Sequence, residues 1–153
     1  MKSAVLVSIL IGAVLISACD HSNQSDSTNF AVEQKALNDH MALWQRSNFA
    51  SYQYVFRKQC FCGPLDDIVV VVLNGQVSQA YHLMSGIYLS AQELAYVLSI
   101  EQLFSTIQDA IDRKAFKLNV TYDPQLGFPQ FISIDYSQNV ADDEIAYTAR
   151  NVQ

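Results

Sequence analysis

Asp67-Ile68-Val69-Val70-Val71-Val72-Leu73-Asn74-Gly75-Gln76-Val77-Ser78-Gln79-Ala80-Tyr81-His82-Leu83 decides the fold. The run from Ile68 to Leu73 is aliphatic and rich in β-branched side chains, which suit a pleated backbone, so residues 67–73 predict a strand buried on both faces or nearly so. Asn74-Gly75 follows, a dipeptide that accepts positive φ at both central turn positions and so closes a two-residue hairpin. The return strand runs from Gln76 to about Leu83. An antiparallel pair is therefore the nucleus from which the rest is read.

Upstream, residues 51–60 alternate, with Tyr52, Tyr54 and Phe56 on one face and Gln53, Val55, Arg57 and Gln59 on the other. That is strand periodicity, and the aromatic stripe is core material to be packed against a helix. The helix is at hand. From Phe30 to Arg46, behind an Asn29 cap, Leu37, Met41 and Trp44 fall at i, i+4 and i+7, with Ala36, His40 and Leu43 beside them. Glu33, Lys35, Asn38, Asp39 and Arg46 lie largely off that stripe, and His40 at its edge reads as a packed, hydrogen-bonded histidine.

Downstream, Ser90 with Glu93 and Ser99 with Gln102 have capping-box spacing. The first starts only a short turn within the loop 84–98. The second opens a helix from Ile100 to about Lys114, with Leu103, Phe104, Ile107 and Ile111 inward and Arg113 and Lys114 at its negative end. Phe116, Leu118, Val120 and Tyr122 share one face of the next strand, and a turn follows from Asp123 to Pro129. Residues 130–136 alternate again as its partner, with Ile132, Ile134 and Tyr136 on one side, and a last strand spans about 144–152. The order is helix, three strands, helix, three strands. Short connections make this an α+β domain, residues 30–153, whose antiparallel sheet of five to six strands carries two main helices on one face.

The N-terminus has a different character. Met1-Lys2 gives a short positive start, Ala4 to Leu15 is apolar apart from Ser8 and Gly12, and Ile16-Ser17-Ala18-Cys19 follows. The sixteen residues from Ser3 to Ala18 fall short of the roughly 20 that a spanning helix needs. This arrangement resembles the lipobox of bacterial lipoproteins. The resemblance implies a signal peptide over residues 1–18, cleavage before Cys19, and acylation of the Cys19 thiol and its new amine. Asp20 resembles the signal for retention on the periplasmic side of the inner membrane. Residues 20–29 hold no apolar side chain and read as a flexible tether with a reach of roughly 17 Å, in which His21 is solvated.

Charge excludes some partners. The chain is −6 overall, and loss of Lys2 with the signal takes it to −7, with no basic run longer than Arg57-Lys58 or Arg113-Lys114. A nucleic acid binder needs a basic footprint, and electrostatic attraction to anionic lipid fails for the same reason. The expected partners are the membrane, through lipid on Cys19, and a protein of the envelope. The apolar segment containing Tyr81, Ile87, Tyr88, Leu89 and Tyr96 offers one surface for it, and an uncovered sheet face another.

A further set of motifs runs through the domain: Trp44, Tyr52-x-Tyr54, Cys60-x-Cys62, Asn74-Gly75, Leu103-Phe104, Tyr122-Asp123, Gly127-Phe128-Pro129, Ile132-x-Ile134-Asp135 and Asp142-Asp143-Glu144. Over residues 40–152 this resembles the DUF6174 family of bacterial secreted and lipoprotein domains. The resemblance implies a shared fold and carries over no catalytic residue.

Three cysteines are present, and with Cys19 consumed by lipid, Cys60 and Cys62 remain in an oxidising compartment. A disulfide between them is the first expectation. Residues two apart in an extended strand have Cα atoms roughly 6.5–7 Å apart, at the limit for a bridge, so the chain must bend, as Gly63-Pro64 allows. The bridge is either a local clip or, being strained, redox-active. A thiolate metal site is the third alternative, but no further ligands are evident unless His82 faces the pair. Asp142-Asp143-Glu144 with Asp123 and Asp135 reads as turn and strand-end chemistry rather than a calcium site. No nucleophile elbow, phosphate-binding glycine loop or His-Glu-x-x-His occurs. The expectation is a non-catalytic, membrane-tethered binding or accessory module without a cofactor or metal. The alternative is a thiol-disulfide redox protein using Cys60 and Cys62.

Overall fold

The computed structural model describes residues 29–60, 66–140 and 142–153. The signal peptide, Cys19, His21, all of the tether but Asn29, and Cys62 with Gly63-Pro64 lie outside the described residues. Among the described residues nine elements follow in order: α1 (Phe30–Ser47), β1 (Tyr52–Gln59), β2 (Ile68–Leu73), β3 (Gln76–His82), α2 (Ala91–Leu94), α3 (Ile100–Asp112), β4 (Lys117–Tyr122), β5 (Pro129–Asp135) and β6 (Ile145–Arg150).

All six strands form one antiparallel sheet in the order β3-β2-β1-β6-β5-β4. Two meanders, β1 to β3 and β4 to β6, join edge to edge where the first strand meets the last. The expected α+β architecture holds. Asn74 and Gly75 both take positive φ, 51° and 74°, as the hairpin between β2 and β3 requires.

Strand parity decides burial. Tyr52, Tyr54 and Phe56, Ile68, Val70 and Val72, Leu118, Ile132 and Ile134, and Tyr147 and Ala149 all point to the face that α1 and α3 cover. Leu37 and Trp44 of α1 and Leu103, Phe104 and Ile107 of α3 complete that core. On the opposite face Val55 and Val69, cross-strand partners, are also buried, whereas Leu73 is 48% exposed, so β2 is buried on both faces only over its first half.

Two boundaries differ from the sequence expectation. α3 stops at Asp112, because Lys114 turns left-handed (φ 53°) and the Ala115 N–H donates back to the Ala110 carbonyl. The turn places Ala115 in the core, and Phe116, expected inward, is 45% exposed just before β4 begins. No helix among the described residues is long and apolar enough to cross a membrane.

Candidate functional site

The covering layer thins toward one end of β1. Beyond Phe56, the cover that the described residues give the inward face is the loop after β3 and the four-residue α2. A cleft of about 490 Å³ opens there, within the usual size of small-ligand sites. Phe56, Ile68, Leu89 and Val97 form its apolar walls, and Lys58, Cys60, Asp66, His82, Glu93 and Tyr96 bring polar groups to it.

Local chemistry fixes each wall. The 83–89 loop folds back on β3: the His82 N–H donates to the Ile87 carbonyl and the Leu89 N–H to the Ala80 carbonyl, both at 2.9 Å. Tyr81 and Tyr88 pack ring to ring at 5.5 Å, and Leu89 is thereby turned over the cleft. Ser90 caps α2 in a full capping box, in which Glu93 Oε2 accepts from the Ser90 N–H at 2.8 Å and the Ser90 hydroxyl at 2.7 Å. Those bonds hold the Glu93 carboxyl below its usual range. The 97–100 segment is pinned by strand tyrosines. The Tyr54 hydroxyl donates to the Leu98 carbonyl, and the Tyr52 hydroxyl accepts from the Ile100 N–H at 2.9 Å. Val97 is set in the wall as a result.

The same tyrosine hydroxyl donates to Glu101 Oε2 at 2.7 Å, while Trp44 Nε1–H donates to Glu101 Oε1 at 3.0 Å. Burial, then the bonded Glu101 carboxylate, drives the Tyr52 phenol far above its ordinary value. A second recess of about 360 Å³ lies between α1 and α3, but its one ionisable lining group is this fully engaged Glu101. That recess has no free polar group of this kind to offer a ligand.

Across the cleft mouth, His82 Nδ1 lies 3.4 Å from Asp66 Oδ2. The Lys58 ammonium sits 5.8 Å from the centre of the Tyr96 ring. The structure thus brings Cys60 and His82 to one cavity, a juxtaposition that strand patterning left open. Lys58, Asp66 and Glu93 were not expected from the sequence to share a site. The signal for Lys58 was present, since it continues the inward Tyr52, Tyr54, Phe56 series.

The other expected positions fall elsewhere. His40 is packed as expected, stacked on Tyr122 at 4.2 Å with the rings 5° from parallel, but its Nδ1 has no hydrogen-bond partner. The acids near the C-terminal turns do not converge. Asp123 Oδ1 accepts from the Gln125 and Leu126 N–H groups, Asp135 Oδ1 accepts from the Ser137 N–H, and Asp142 occupies a left-handed turn position. No cluster of three or more metal-ligating side chains occurs among the described residues.

The chain is thus an α+β domain with a half-covered antiparallel sheet and an amphipathic cleft at the thin end of its cover. Residues 36–153 match the model of a family of unknown function (DUF6174), and the chain belongs to that family. No curated protein and no solved structure matches the chain.

Proposed function

We propose that this chain is a lipid-anchored module of the bacterial envelope, held to the periplasmic side of the inner membrane through Cys19, which binds a ligand or protein partner without catalysis. The cleft carries this reading. It joins apolar walls to a few polar groups, the composition of a ligand site. The segment that roofs it exposes Met84, Ile87, Tyr88 and Tyr96, the first at 95%, apolar area of the kind protein partners cover. The signal and lipobox pattern of residues 1–19 supports the anchor, and one acyl chain alone would bind a membrane only marginally. In this reading the Cys60–Cys62 bridge is a clip at the cleft's edge.

The anchor is tested by intact mass of the purified protein. Acyl chains on a chain beginning at Cys19 are expected, and Cys19→Ala should release the protein from the membrane fraction. A product that retains Met1 or lacks acyl chains would refute it. For the cleft, Leu89→Trp, at a partly buried wall position, should abolish partner crosslinking in intact cells while leaving the fold intact. Unchanged crosslinks would remove the cleft from the proposal.

One observation favours a second reading. Cys60 lines the same cleft, so a thiol-disulfide function would have a substrate surface next to it. The Cys60–Cys62 bridge would then pass to a partner dithiol, gaining two electrons and two protons as the partner becomes the disulfide. Rapid reduction by mild dithiol and a low-pKa thiol in the product would favour this reading, and resistance would favour the clip.

A further inference from the structure

We propose that the ligand of this cleft is a small organic anion with an apolar body, a carboxylate on an alkyl or aryl group, and that Lys58 holds its charged end. The proposal rests on the cleft being the binding site and adds the chemistry of what fills it.

The argument starts from strand parity. Along β1 the side chains facing the helices are Tyr52, Tyr54 and Phe56, and Lys58 is next in that series. Its cross-strand partner on β6 is Tyr147, which is buried. A lysine therefore stands where the alternation calls for a core residue. Partial burial of an ammonium is costly unless an anion compensates it.

Among the described residues no such anion is supplied. Lys58 is half-buried, and its ammonium meets the Tyr96 ring rather than a carboxylate. The internal residues outside the described set, 61–65 and 141, contain no acid. The two acids of the cleft are occupied elsewhere. Asp66 faces His82, and Glu93 accepts both Ser90 bonds of the capping box. Both are exposed, where water screens them, whereas Lys58 stands beside the apolar walls.

Phe56, Ile68, Leu89 and Val97 then set the rest of the ligand. They offer no hydrogen-bonding side chain, so the body opposite the anion must be apolar. A medium-length alkyl chain and a substituted aromatic ring both meet this description, and they share the carboxylate that Lys58 would pair. His82, the other basic side chain at the cleft, is turned through Nδ1 to Asp66 and stands at the mouth.

The test uses the full chain carrying Cys19→Ala, so that acyl groups and detergent do not compete. Calorimetric titration compares octanoate with octan-1-ol and 4-phenylbutyrate with 4-phenylbutan-1-ol. At least one acid should bind ten-fold or more tighter than its alcohol, and the pair that does so identifies an alkyl or an aryl body. Lys58→Met should bring that acid down to the alcohol's affinity without lowering the melting temperature, and Lys58→Arg should restore most of the difference. If acid and alcohol bind equally, or Lys58→Met leaves the preference intact, the anion assignment fails while the cleft remains a binding site. If neither member of either pair binds, the assignment fails. If, besides that, Leu89→Trp leaves the cellular crosslinks unchanged, the cleft reading fails with it.

Discussion

The two ends of β1 obey one alternation and come to opposite uses. At its start, Tyr52 and Tyr54 lie under α1 and α3, and both hydroxyls are hydrogen-bonded. Trp44 meets Tyr52 edge-on at 5.2 Å, packing over the strand at that end. At its other end, Phe56 and Lys58, with Cys60 just beyond the strand, line a cavity of about 490 Å³ to which α2, a helix of four residues, contributes Glu93. The strand does not distinguish the ends. The length of helix above it does, since one turn of helix cannot supply the stripe of side chains that α3 brings. In this fold, thin cover over an inward-facing strand is what separates a cleft from a core.

That contrast predicts large penalties at the closed end and small ones at the open end. The greatest is Gly127→Ala. Gly127 has φ +83°, and an added Cβ would lie 2.4 Å from the His40 carbonyl oxygen and 2.9 Å from Leu43 Cβ. The glycine lets the β4–β5 turn press against the α1 backbone, which neither sterics nor backbone angle would allow alanine to do. A loss of about 3 kcal/mol or more is expected by urea unfolding, and a loss under about 1 kcal/mol would mean the turn and helix separate freely. Next come paired truncations. Leu103→Ala removes a side chain with no exposure and should cost about 2–5 kcal/mol. Leu89→Ala, on the cleft wall, should cost about 1 kcal/mol or less, because it enlarges a space that already exists. Equal penalties would erase the distinction between the two ends.

Most of the closed end was legible in the sequence, and most of the open end was not. The alternation of Tyr52, Tyr54 and Phe56, the Asn74-Gly75 turn and the two capping boxes are local signals, and each reappears within a residue or two of its expected place. Phe116 misled because alternation carries no notice of the left-handed turn at Lys114 that resets its phase. The position of β6 between β1 and β5 is a long-range pairing, which no short window encodes. The cleft is harder still, because it lies where the described residues bring little cover. Lys58, His82 and Glu93 come from β1, β3 and α2, and only the folded sheet brings them together. Lys58 alone left a trace, as a charge at an inward position, and that trace has meaning only once the neighbouring face is known to be core.

The polar ties of the two regions sharpen the same comparison at lower energies. Glu101→Gln should cost about 1–3 kcal/mol, since Trp44 and Tyr52 each donate to a separate carboxylate oxygen and an amide offers one acceptor, leaving a part-buried donor unpaired. A neutral result would mean that packing alone locks α3 to β1. The smallest effect belongs to the uncovered face, where Asp67 bridges Arg57 Nε at 2.7 Å and Arg150 Nη2 at 2.6 Å. The Arg57 bond first and the Arg150 bond second hold its carboxyl at about 2, below the usual 3.8. A lowered value means the folded state prefers the ionised form. The contribution is therefore complete above pH 3.8 and is lost as pH falls through about 2. Both arginines are more than a third exposed, so solvent screening leaves about 1 kcal/mol. Urea midpoints measured from pH 7 to pH 2 should show wild type above Asp67→Asn by that amount at pH 5, with the gap closing toward pH 2. A gap that stays constant across this range would show that the Arg57–Asp67–Arg150 bridge does not set the acid limb, and that the charges on this face are as loosely held as those at the cleft mouth.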